Sequence, residues 1–124
     1  MATRSEIVRI HENGTCESIY VHFDGYPEYR GPILLNHFTN QKSLDKLFSE
    51  GDISYINQDG TFKSYKSMGE ENTESKKYNN IECYMKNFSS GAIEFVYVFK
   101  DNEWYLLIIK LSRLVPLSGV LEVQ

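Results

Sequence analysis

Cysteine is scarce in this chain, two residues in 124, and neither sits in a pattern that does chemistry. Cys16 and Cys83 lie far apart, with no C-x-x-C and no histidine at metal-ligand spacing. That excludes the common zinc arrangements and a disulfide framework, and leaves two reduced, partly buried thiols. No apolar run approaches the roughly 20 residues that cross a bilayer. No apolar stretch follows Arg4 to make a secretory signal, so a soluble cytoplasmic protein with no membrane partner is expected. The strong catalytic and phosphate-loop signatures, G-x-S-x-G, H-E-x-x-H, G-x-x-x-x-G-K-[ST] and G-x-G-x-x-G, are all missing. Charge of one sign is lacking too. Thirteen Lys and Arg against seventeen Asp and Glu leave a formal −4, the wrong sign for direct nucleic-acid binding and too mild for a nucleic-acid mimic. No cofactor, no metal and no enzymatic activity are expected.

What is present is apolar and aromatic: 41% hydrophobic and 14% aromatic residues, enough to fill one core in a single domain over residues 1–124. Residues 5–12 alternate as a half-buried strand, and Asn13-Gly14 predicts a tight hairpin into a second strand over 16–23. In that strand Ile19, Val21 and Phe23 form the core side, leaving Tyr20 and His22 on the other face. A stiff loop over 24–31 follows, DGYPEYRG, with Pro27 at its centre. Pro32 suits a first helical position, predicting a helix to Phe38, and Thr39 or Asn40 caps a second helix over 41–50, stopped by Gly51.

Residues 52–56 read as a short strand or an extended crossing, and residues 57–78 as a long surface loop without lasting period. A third helix is predicted over 81–89 from Ile81, Tyr84, Met85 and Phe88, capped by Asn79 or Asn80. Strands over 93–99 and 104–111 flank the turn at residues 100–103. Leu106–Ile109 are apolar on both faces, as in a central strand or one that meets an interface. Residues 113–124 read as an irregular return with a short final turn. The sum is an α+β domain: an antiparallel sheet of about four strands, in two hairpins, with about three helices packed on one face.

Two surfaces stand out. Tyr20, His22, Asp24, Tyr26, Tyr29 and Arg30 gather aromatic faces and a planar cation beside a helix start, a set that suits an anion carried on a flat ring, such as a nucleotide. The alternative is that the tyrosines plug the strand-to-helix corner and Arg30 pairs with a carboxylate. The second is a partner interface, at Tyr97, Trp104 and Tyr105 of the terminal hairpin, residue types that dominate hot spots, or at the acidic Glu70, Glu71 and Glu74 of the long loop. So apolar a terminal hairpin also suits self-association as a homodimer.

The segments TRSEI, SIYVHFDGYPEYRGPILLNHF, LFSEGDIS and EFVYVFKDNEWY together span most of the chain. In them the sequence resembles a group of small proteins of unassigned function encoded by bacteriophages and prophages. Phe23 stands where the group's pattern has Trp before Asp-Gly, and the middle excursion is individual. The resemblance carries no catalytic residues. It implies a phage-encoded anti-defence protein in a bacterial host cell, acting by stoichiometric binding, first as an anti-CRISPR-type inhibitor of a host defence protein complex. The alternative it implies is a sponge that sequesters a nucleotide immune signal.

Overall fold

The computed structural model describes residues 2–88 and 91–122. Among them one mixed sheet of eight strands and four helices replaces the expected four-stranded antiparallel sheet with three helices. The strands are β1 (Arg4–Ile10), β2 (Cys16–Val21), β3 (Ile53–Ile56), β4 (Phe62–Ser64), β5 (Lys76–Tyr78), β6 (Ile93–Lys100), β7 (Glu103–Ile108) and β8 (Arg113–Pro116). The helices are α1 (Pro27–His37), α2 (Gln41–Ser49), α3 (Ile81–Lys86) and α4 (Leu117–Glu122). The sheet order is β4-β3-β2-β1-β6-β7-β8, with β5 also paired to β2.

Both expected hairpins exist, β1–β2 and β6–β7, but they are joined through a parallel β1–β6 ladder from Arg4↔Ile93 to Arg9↔Phe99. Strand direction depends on the path of the connecting chain, and periodicity within a strand carries no trace of it. The additional strands are three or four residues long, too short for an alternating signal, and two of them come from the surface segment 57–78.

Turn and cap chemistry sets the element ends. Asp101 and Asn102, both at positive φ, close the β6–β7 hairpin. The first hairpin instead uses a longer loop in which Gly14 alone takes φ +90° and Asn13 Oδ1 accepts from the Thr15 amide. Asn40 Oδ1 caps α2 through the Ser43 amide at 2.8 Å, and Asn80 caps α3 through the Cys83 amide at 2.8 Å. Gly51 leaves α2 at φ +75°, where a Cβ would stand 2.1 Å from the Thr73 carbonyl oxygen. Helix α3 is shorter than expected, and Ser89, its predicted end, lies outside the described residues. Strand β7 stops at Ile108, followed by a 3₁₀ turn Ile109–Leu111 into Ser112 at positive φ. The return over 113–122 is a strand and a helix; residues 123–124 lie outside the described set.

The largest local correction concerns α1, which starts at Pro27 rather than Pro32 and so absorbs most of the expected 24–31 loop. Pro27 sits at the first helical position, where its missing N–H costs nothing, and Pro32 is carried inside the helix on its exposed side. Gly31 is buried against α4, where a Cβ would stand 2.9 Å from a terminal methyl of Leu121.

Helices cover both faces of the sheet. On one, Ile33, Leu34, Leu44, Leu47 and Leu117 of α1, α2 and α4 pack on Ile7, Ile19, Tyr97 and Leu106, each such side chain contributing about 1.5–3 kcal/mol by burial. On the other, Tyr84 of α3 packs on Val8, Cys16, Val96, Val98 and Leu107. One buried ionic knot ties the elements together. Arg9 of β1 donates to Glu17 of β2 at 2.7 Å and to Asp45 of α2 at 2.6 Å, and lies 5.0 Å from the Phe48 ring; Lys77 of β5 reaches Glu17 at 2.7 Å.

Candidate functional site

The corner between β2 and α1 brings only part of the predicted ligand set together. The Tyr20 hydroxyl meets His22 Nδ1 at 2.5 Å, and the His22 ring stands edge-on to Phe23 at 4.5 Å. Tyr26 and Tyr29 face one another at 5.9 Å, with Tyr26 exposed and Tyr29 half-buried against the core. Asp24 is exposed at φ 57°. Arg30 is the correction: it is 0% exposed, and its Nη2 donates to the Phe23 carbonyl at 2.7 Å and weakly to that of Asp24 at 3.3 Å. Its Nε and Nη1 have no partner among the described residues, and burial pulls its pKa down to about 10. The Tyr97 hydroxyl donates to the Gly25 carbonyl beside it. Arg30 therefore braces the strand-to-helix corner from within rather than offering a cationic fork to a ligand. The expected carboxylate partner is replaced by backbone carbonyls.

A cation whose charge acts on this corner is Arg4, which counters the burial that raises the Tyr20 pKa. Sequence reasoning passed over it. The β1–β2 register, Ser5↔Val21 and Glu6↔Tyr20, continued by one step sets Arg4 opposite His22, and that register was the available signal.

The predicted partner surface also divides. Tyr97 is 0% and Trp104 4% exposed; the Trp104 indole donates to the Phe38 carbonyl at 2.8 Å and packs on Phe99 at 5.1 Å. The pairs Tyr97↔Leu106 and Phe99↔Trp104 put these rings on the sheet face that α1, α2 and α4 cover. Tyr105 is half-buried on the other face, its hydroxyl on Glu103 at 3.0 Å. Glu70, Glu71 and Glu74 are exposed in the segment before β5.

A feature the sequence did not announce lies at the open end of the terminal hairpin. Pairing of β6 with β7 runs from Lys100↔Glu103 to Tyr97↔Leu106 and stops there, although β6 goes on pairing with β1 and β7 with β8. Between the two diverging strands is a cleft of about 460 Å³, lined by residues 93–96 and 106–110 and closed on one side by Met85 and Phe88. Its lining is drawn from both strands at and beyond the end of their pairing. Phe95 and Ile108 reach the core of one face, Ile93 and Ile109 that of the other. Leu111, 67% exposed, extends the apolar surface beyond the cleft. The signal in the sequence was the doubly apolar run Leu106–Ile109.

A smaller polar hollow of about 130 Å³ lies between α3, β2 and β5, with Glu6, Asp52, Lys76 and Tyr84 among its walls. The Tyr84 hydroxyl donates to Glu6 at 2.5 Å, and burial raises the pKa of both carboxyls. Among the described residues no group of three or more His, Cys, Asp or Glu is placed to hold a metal ion. No helix among them is long and apolar enough to cross a membrane. No protein-family model, curated protein or solved structure matches this chain.

Proposed function

We propose that the protein acts by stoichiometric binding, without turnover, on a protein target, and that the cleft between β6 and β7 is its binding surface. The observation that supports this reading is the cleft itself, an apolar-walled opening of about 460 Å³ continued by the exposed Leu111. The resemblance to small phage and prophage proteins supplies the setting, a bacterial host cell, and the kind of target, a defence protein complex such as a CRISPR effector. The acidic Glu70, Glu71 and Glu74 lie between β4 and β5, on the far side of β1 from the cleft, and are not part of this surface.

A second reading has one observation in its favour. The Tyr20 and His22 pair stands beside Phe23, 43% exposed, and the charge of Arg4 acts on Tyr20, so an anion on a flat ring, such as a nucleotide immune signal, suits that corner.

Native mass spectrometry of the protein purified from bacteria with active defence systems separates the two. Binding of a protein target gives a complex of fixed ratio with a protein subunit. A small anionic mass in its place moves the site to Arg4, Tyr20 and His22. A second copy of the chain as the sole companion would make the cleft a homodimer interface and overturn the inhibitor reading.

A further inference from the structure

We infer that the cleft takes an extended, acidic peptide segment of the partner, added as a strand between β6 and β7; this rests on the binding role proposed above. The geometry selects a peptide over other apolar guests. Beyond Tyr97↔Leu106, residues 93–96 and 107–108 have no partner across this seam among the described residues, so alternate peptide groups of each strand face the cleft, while the Ile109 carbonyl is taken by the Ser112 amide in the turn that follows. Such groups against apolar walls call for an occupant that supplies both N–H and C=O at strand spacing. An acyl chain supplies neither. Residues 93–96, where β6 shifts register against β1 at Glu94, span at most about 13 Å at about 3.3 Å each, room for a peptide strand of up to four residues whose alternate side chains point to opposite sheet faces. One set meets Ile93, Ile109, Met85 and Phe88, the other Phe95 and Ile108.

Charge selects the kind of peptide. Lys110 lines the opening and Arg113 stands beside Ile108 in the β7–β8 ladder. Both are exposed, and neither is in an ion pair among the described residues. Glu94 is the one acid in the lining. Acidic residues flanking the apolar anchors complement this end of an otherwise acidic chain.

The test is an amide-resolved NMR titration of the whole chain with the synthetic peptide acetyl-Glu-Val-Val-Val-Val-Glu-amide, apolar on both faces over four residues with an acid at each end. The expected result is saturable shifts confined to residues 93–96 and 107–109, with slowed amide exchange there. The same peptide N-methylated at alternate amides should bind about tenfold more weakly or worse, the equivalent of about 1.4 kcal/mol. Lys110→Glu should weaken the acidic peptide and strengthen its Lys-Val-Val-Val-Val-Lys counterpart. Equal binding of the N-methylated peptide, displacement by sodium dodecanoate, shifts elsewhere in the molecule, or no shift at millimolar peptide would each overturn the inference. If the partner found by mass spectrometry is lost on substitution of Ile109 while the peptide fails to bind, the binding role stands and only this occupant falls.

Discussion

Glu17→Ala is expected to lower folding stability by about 3–5 kcal/mol, the loss seen when one partner of a buried ion pair is removed and the other charge stays behind. Arg9 is 7% exposed and would keep only Asp45, whose side chain is largely in solvent, and the Phe48 ring. Against a total of about 5–15 kcal/mol for a domain of this size, such a loss is a large shift in the urea midpoint. Replacing both charges together, Arg9→Met with Glu17→Leu, should recover most of it, because no orphaned charge remains.

The pH dependence has a definite sign. Burial opposes ionisation of Glu17, but hydrogen bonds from Lys77 and Arg9 outweigh it and hold its pKa below the ordinary carboxylate value. The stabilisation is therefore fully present above that ordinary value and is lost as pH falls through the lower folded one. Denaturation at pH 7 and at pH 3 should show the Glu17→Ala penalty shrinking in acid. A constant penalty would contradict the ion-pair account.

Arg30→Ala is the second large effect, a loss of about 3 kcal/mol from the cavity and from the Phe23 carbonyl left without its donor. Arg30→Met fills most of the same volume and removes a guanidinium whose pKa burial depresses to about 10. The desolvation cost is fully present below that pH, hence at neutrality, and Met relieves it. Arg30→Met should therefore recover about half of the loss. Thermal unfolding of the two variants decides the matter. Equal destabilisation would mean that the hydrogen bond to Phe23 dominates, and no destabilisation by either would mean that Arg30 does not brace this corner.

Arg30 also shows where the sequence was legible and where it was not. Signals confined to a few residues were readable: the Asp101-Asn102 turn, the Asn40 and Asn80 caps, and Gly51 past α2 follow from side-chain hydrogen bonds and positive φ. The start of α1 was misread because Tyr26-Pro27 and Gly31-Pro32 look like loop punctuation. With the helix placed from Pro27, Arg30, Ile33 and Leu34 fall at i, i+3 and i+4 on one face, and the inward position of Arg30 follows. The burial of Trp104 needed the strand register and the knowledge of which face α1 and α2 occupy, and neither is local. The parallel β1–β6 ladder is set by everything between the strands. The cleft is less legible still, since it arises where two apolar strands part instead of pairing.

The most direct test of the central claim is the affinity of the captured protein target for the wild-type chain and for Ile109→Asp, with melting temperatures measured alongside. Ile109 is half-buried, lines the cleft and lies outside the Arg9–Glu17 knot and the Arg30 corner. The account predicts affinity at least about 30-fold weaker, equivalent to about 2 kcal/mol and the size of an interface hot spot, with a melting temperature within a few degrees of wild type. Unchanged affinity in a folded Ile109→Asp variant would contradict the assignment of the cleft as the binding surface.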